Sequence, residues 1–322
     1  MKLAILGAGH IAKSMAKTVL KMKEVELYAI ASRNKERSEN FAKEFNIPNS
    51  FDSYEKMLSD PKIDLVYIAV PHSHHYKWTI EALNHGKNVL CEKAFAVNEK
   101  QASEMIALAK EKNLLLAEAI WTRYMPSRKI IENIIQSGEI GEVFTLSANL
   151  GYIIDDKERL IPPELAGRAL LDVGIYTLNF ASMIFGDKIK RIAASCVMTE
   201  SGVDGQDSIM IQYNNNSMAS LFCSMYTRTD RRGIIYGRKG FIEIDNINNP
   251  LKIKVVYNSR RLPKYYKVPH QISGYEYQVR SCVNAINEHK TECPEMPHEE
   301  TLEMMRQMDE IRKQIGLIYP CE

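Results

Sequence analysis

A chain of 322 residues, 45% hydrophobic and 25% charged, has the make-up of a soluble globular protein with length enough for two domains. Its formal charge of +2 offers no electrostatic footprint for nucleic acid, and no segment approaches the ~18 apolar residues of a membrane span. The six cysteines are scattered without a C-x-x-C pair, which argues against structural zinc and a disulfide framework and for a reducing compartment. With no signal-peptide pattern at its amino end, the chain is expected to be cytoplasmic.

The first element is a strand, Leu3 to Leu6, that runs into Gly7-Ala8-Gly9-His10-Ile11-Ala12 and then a helical pattern. Gly7 permits the tight turn, Gly9 leaves room for a pyrophosphate at the backbone, and Ala12 lets the helix lie close to the sheet. The helix amino end presents N–H groups and partial positive charge. The pattern predicts dinucleotide binding. The second strand, Val25 to Ala31, ends in Ser32-Arg33-Asn34, with no acid to bond a ribose 2′-hydroxyl. Arg33 offers a fork suited to a phosphate, Ser32 a hydroxyl, and Lys35 or Arg37 further positive charge. The expected cofactor is NADP rather than NAD. Arg33 also reads as a solvated loop cation.

Beyond it, Lys35–Phe45 reads as a helix, 53–59 as a short helix capped by Ser53, and Leu65–Val70 as a buried strand ending at Pro71. Then come a helix over Tyr76–His85, a strand over Asn88–Cys91, a helix over 99–112 and a strand over 114–117. This alternation predicts an α/β fold, an N-terminal doubly wound parallel sheet of the Rossmann type. The pattern changes near Trp121. A helix over 127–136 leads into long strands at 143–152, 189–198, 208–213, 217–225, 232–236, 241–244 and 251–257, interrupted by a helix at 170–185 and closed by helices at 275–289 and 299–315. The expected second domain is α+β with a large, mostly antiparallel open sheet. The boundaries are 1–120 for cofactor and 121–322 for substrate and oligomerisation, the last helix being able to pack back on the first domain. One sheet face needs a partner, so a homodimer through that sheet is expected.

Two constellations could carry chemistry. Glu92-Lys93 follows a strand at its carboxyl end, where ligands sit in such sheets, and the ammonium could stabilise an oxyanion. Residues 167–176 read Gly-Arg-Ala-Leu-Leu-Asp-Val-Gly-Ile-Tyr. On an α-helix Asp172 and Tyr176 would share one face, a pairing suited to proton transfer. A phenol ordinarily titrates near ~10, so it needs a cation such as Lys93 to act at neutral pH. Taken alone, Lys93 also reads as a surface-loop residue, Tyr176 as core and Asp172 as a structural carboxylate. His72, His74 and His75 cluster, but without the carboxylate or cysteine spacing of a metal site, so no metal is expected.

The chain resembles the Gfo/Idh/MocA oxidoreductase family over nearly its whole length. The likeness rests on the opening glycine motif, on Val70-Pro71-His72-Ser73-His74-His75 where the family has T-P-N-x-x-H, on Ala82 to Ala94 where it has A-L-x-x-G-K-x-V-L-x-E-K-P, and on Glu300 to Arg312. Within it, Glu118–Pro126 and Ala169–Tyr176 resemble the branch of dihydrodiol and D-xylose dehydrogenases, which carries tyrosine where many members carry histidine. The resemblance implies Lys93 and Tyr176 as a catalytic pair with Asp172 positioning them or the substrate. It implies cofactor contacts from Gly7, Gly9, His10, Ile11, Ser32, Arg33, Arg37, Pro71, His72, His75, Glu92, Lys93, Trp121 and Arg123. The expected activity is hydride transfer between NADP and a CH–OH group of a small polyhydroxylated substrate, a sugar or cyclic trans-diol. Three departures bear on the substrate: Ala94 for proline, His72 for asparagine, and Arg168 in a run of small residues. The second reading is a non-catalytic NADP(H)-binding regulator of the same fold.

Overall fold

Leu3, Ala4, Ile5 and Leu6 have no solvent exposure, because the strand they form lies at the centre of a parallel sheet covered on both faces. The computed structural model describes residues 1–154 and 162–322. They divide into two units, one of residues 1–121 and 271–302, the other of 122–270 and 303–322.

In the first unit the strands are β1 (Lys2–Leu6), β2 (Glu26–Ala31), β3 (Asn49–Phe51), β4 (Leu65–Ile68), β5 (Asn88–Cys91) and β6 (Leu116–Glu118). They form one sheet in the order β3-β2-β1-β4-β5-β6, parallel throughout. The order reverses between β1 and β4, which opens a crevice at their carboxyl ends. The helices are α1 (His10–Val19), α2 (Lys35–Phe45), α3 (Tyr54–Leu58), α4 (His75–Asn84) and α5 (Glu99–Glu111). Asn34 caps α2 by accepting from the Arg37 N–H at 3.0 Å, and Ser53 caps α3 by accepting from Lys56. The edge strand β3 was not expected; three residues, Asn-Ser-Phe, are too few to show a period.

The second unit begins with α6 (Pro126–Gln136), its proline in the first turn, and β7 (Val143–Gly151). A π-turn over Leu170–Gly174 passes into α7 (Ile175–Phe185). The strands β8 (Ile189–Met198), β9 (Asp204–Tyr213), β10 (Met218–Ser224), β11 (Gly233–Gly237), β12 (Gly240–Ile244), β13 (Lys252–Tyr257) and β14 (Lys264–Lys267) complete an eight-stranded sheet. Its order is β14-β13-β12-β11-β7-β10-β9-β8, antiparallel except for the β7–β10 pair. Ile209, Ile211, Ala219 and Leu221 alternate inward, and Met210 and Met218 outward. The hydroxyls of Tyr257 and Tyr266 both donate to Glu139, pinning the late strands β13 and β14 to the turn after α6. The chain then returns to the first unit in α8 (Glu276–Asn287) and the opening of α9 (His298–Ile315), whose residues from 303 onward belong to the second.

Two expectations change here. Residues 170–185 are not one α-helix, since the first five form a π-turn whose hydrogen bonds reach five residues back rather than four. Strand β9 starts at Asp204, four residues earlier than its apolar alternation suggests, because its first turn of pairing is made by Asp204-Gly205-Gln206-Asp207. No helix among the described residues is long and apolar enough to cross a membrane.

Candidate active site

The turn after β1 has two glycines with different reasons to be there. Gly7 has φ +108°, and a Cβ on it would lie 2.4 Å from the Ala69 carbonyl oxygen. Only glycine lets β1 pass so close to the end of β4. Gly9 has φ −88°, which any residue adopts, and a Cβ on it would meet nothing within 4 Å among the described residues. Packing therefore does not require glycine there. What a side chain would fill is open space ahead of α1, whose amino end has no side-chain cap. That is a cradle for a pyrophosphate, so the residues present fit a dinucleotide. His10 is exposed and Ile11 half-buried at this opening.

At the end of β2, Ser32 is buried and its hydroxyl accepts from the Asn34 N–H at 3.3 Å. Arg33 and Arg37 are exposed; burial raises the Tyr54 phenol, and the nearby Arg33 guanidinium opposes that rise. His74 joins this basic group. Burial first, and then the Arg33 and Lys77 charges, hold its imidazole below the ordinary range. The sequence signal for it was its place just after Pro71, in the loop that follows β4.

The loops after β4 and β5 are tied together by histidines. His72 Nε2 lies 3.1 Å from the Lys93 carbonyl oxygen. His75 has no exposure, and its two ring nitrogens lie 2.8 Å from the Ala94 carbonyl and 2.9 Å from the Val70 carbonyl. The expected cofactor contact from His75 is thus not available in this arrangement: the ring is a strut behind the loops rather than a surface in front of them. Pro71 and Lys93 are half-buried, and the Lys93–Ala94 peptide is cis. Glu92 is buried and accepts from the hydroxyl of Tyr67, which is wholly enclosed in β4. Trp121 stacks on Tyr275 with ring centres 4.6 Å apart, and Gly274 packs against its ring.

In the second unit Arg123 is also placed differently from the expectation. It is 1% exposed, donating through Nε to Asn179 at 2.7 Å and through Nη2 to Ser182 at 3.3 Å. It anchors α7 and lines no open surface. Asp172 lies buried within the π-turn, and Tyr176, second residue of α7, is half-buried. The widened turn replaces the simple α-helical face expected for the two. Arg168 is buried ahead of that turn, with Nη2 3.5 Å from the Ser201 hydroxyl and its charge beside Asp204. Its guanidinium is directed to the protein's own groups. Among the described residues no cluster of three or more histidine, cysteine or acidic side chains could hold a metal.

A family model described as an oxidoreductase family with an NAD-binding Rossmann fold matches residues 1–119, and the model of the GFO/IDH/MocA C-terminal domain matches 129–243. A trans-1,2-dihydrobenzene-1,2-diol dehydrogenase from Mus musculus is 32% identical over 331 residues, covering 99% of this chain and 98% of that protein. The chain belongs to the Gfo/Idh/MocA oxidoreductase family. Another relative, a scyllo-inositol 2-dehydrogenase (NADP(+)) from Bacillus subtilis (strain 168), is 30% identical over 330 residues, covering 100% of this chain and 99% of that protein. Among solved structures, a 3-ketoreductase from Actinomadura kijaniata in complex with NADP and TDP-benzene superposes with a TM-score of 0.90 at 21% identity over 99% of both chains. That likeness shows that the two share a fold.

Proposed function

We propose that this protein is an NADP-dependent dehydrogenase that interconverts a CH–OH group and its oxidised form on a small sugar or cyclic trans-diol. The observation that carries the reading is the full-length likeness to dehydrogenases of a diol and an inositol, at 32% and 30% identity. The glycine cradle before α1 takes the pyrophosphate; Arg33 and Arg37 supply positive charge, and Ser32 and the neutral His74 polar side chains, for a 2′-phosphate. No observation favours a non-catalytic regulator.

When bound, the nicotinamide supplies the hydride donor or acceptor. The protein's residues manage the proton and the geometry. Tyr176 takes the proton from the substrate hydroxyl during oxidation and returns it during reduction. Lys93 provides the positive charge that stabilises the tyrosinate and the developing substrate oxyanion. Asp172 positions the substrate hydroxyl against Tyr176. The struts from His72 and His75 hold the Lys93 loop in place, so little reorganisation is needed at the moment of reaction.

The first unit serves as the cofactor domain and the second as the substrate domain. The protein works in the cytoplasm as a homodimer through the outer face of the eight-stranded sheet, where Val197, Met210, Met218 and Tyr236 stand exposed on one side. A panel of sugars and trans-diols with NADP, followed by NADPH absorbance, tests the activity. Turnover of at least one such compound is expected; tight NADPH binding with no turnover of any would contradict it.

A further inference from the structure

Below the π-turn lies a buried acidic pair that the proposed mechanism does not use. Met198 pairs with Asp204 while Val197 pairs with Gln206, so Gly205 is an extra residue, a bulge at the start of β9. A Cβ on Gly205 would come within 2.3 Å of the Tyr226 hydroxyl. The bulge puts Asp204 and Asp207, three apart in sequence, on one buried face, where they are 0% and 1% exposed.

Each carboxyl has one oxygen accounted for. Asp204 Oδ2 accepts from the backbone N–H of Leu170, first residue of the π-turn. Asp207 Oδ2 accepts from the Cys223 thiol at 3.2 Å, and a Cβ on Gly174, last residue of that turn, would sit 3.1 Å from the same sulfur. The other two oxygens, Asp204 Oδ1 and Asp207 Oδ1, are buried with no other donor among the described residues. Two adjacent buried carboxylates cannot both stay ionised, and a single proton satisfies both orphaned atoms.

We propose that Asp204 and Asp207 share one proton and together act as positioning residues for Tyr176, by fixing both ends of the π-turn that precedes it. Asp207 carries the proton and donates it to Asp204. Asp204 keeps its charge and holds the Leu170 N–H. The charged and titratable groups facing the pair are Arg168 ahead of the turn, Cys196 on β8, Cys223 on β10 and Tyr319 near the carboxyl end, which in turn faces Arg312 with its partner Glu322. Burial, then the Asp204 charge, pushes the Asp207 carboxyl up to about 8. Above that pH the second charge appears, the two carboxylates repel, and the hold on the π-turn loosens.

The positioning role rests on the dehydrogenase reading; the shared proton does not. Three measurements on the full chain separate them. In wild-type protein, an infrared titration from pH 6 to 9 is expected to lose a protonated-carboxyl band; its absence at pH 6 overturns the shared proton. In thermal unfolding, a carboxyl raised to about 8 contributes stability that is complete below the unfolded value of about 3.9 and is lost as pH rises through 8. Asp207→Asn, which copies the protonated form, is therefore expected to gain on wild type from pH 5 to 9; parallel curves overturn the proposal. With a substrate that turns over, wild-type kcat is expected to fall about tenfold from pH 7 to 9, following the proton, and Asp207→Asn to lack that limb. Superimposed profiles defeat the positioning role and leave the dehydrogenase standing. Absence of turnover in the wild type defeats the dehydrogenase and the positioning role, and the first two measurements then decide the shared proton.

Discussion

His72 Nε2 sits 3.1 Å from the carbonyl oxygen of Lys93, so the loop after β4 grips the loop after β5 at the residue assigned to stabilise charge on the substrate. One turn behind, the two ring nitrogens of His75 lie against the Val70 and Ala94 carbonyls, and the neutral ring donates to one of them. Two carbonyl oxygens favour a doubly protonated ring, but burial outweighs them and brings the His75 imidazole down to about 4.

That value fixes a pH dependence. A histidine lowered from 6.5 to about 4 contributes stability that is whole above 6.5 and is lost as pH falls through 4, because the unfolded ring takes the proton first. The loss over this window is at most about 3 kcal/mol. Urea unfolding of wild type and His75→Gln at pH 7, 5.5 and 4.5 checks it: wild type is expected to lose stability faster than the variant as the pH falls.

The two glycines of the turn should separate folding from binding. Gly7→Ala places a Cβ against the Ala69 carbonyl at positive φ and is expected to cost more than about 2 kcal/mol of stability. Gly9→Ala places its Cβ with nothing within 4 Å among the described residues and is expected to leave the melting temperature within a degree or so of wild type while weakening NADP at least about tenfold. Calorimetric melting and NADPH fluorescence titration of both variants give the comparison.

Arg33→Ala removes a charge-assisted contact worth about 1.5–3 kcal/mol, so NADP binding is expected to weaken by about 10- to 100-fold and NAD binding by far less. Tyr54→Phe, which removes the hydroxyl beside Arg33, is expected to shift the same ratio in the same direction but less. Titration of each variant with both cofactors is the test; equal losses for NADP and NAD in Arg33→Ala would remove the phosphate assignment.

Much of this was legible in the sequence because apolar runs and glycine turns are local signals. Lys35–Phe45 and Asn88–Cys91 appear where the pattern places them. What the sequence concealed depends on three-dimensional surroundings. His75 and Arg123 belong to motifs that suggest ligand contacts, yet their partners, the Ala94 carbonyl and the Asn179 amide, lie 19 and 56 residues away and turn both side chains inward. Arg168 interrupts a run of small residues, and only the structure shows that its Nη2 turns to the Ser201 hydroxyl and that its charge lies beside Asp204. The π-turn carries no signature of its own in Leu-Leu-Asp-Val-Gly, and the acidic start of β9 reads as loop because the donors to its carboxylates, Leu170 N–H and the Cys223 thiol, come from other elements.

The central claim is that Tyr176 moves the proton and Lys93 supplies the charge for one hydride-transfer step. Steady-state kcat of Tyr176→Phe and Lys93→Met, measured by NADPH absorbance on the best sugar or diol, tests it most directly. Each is expected to fall at least about 100-fold, the lower end of general acid–base effects, with NADP affinity changed little in Tyr176→Phe. Near-wild-type turnover in both variants would contradict the account.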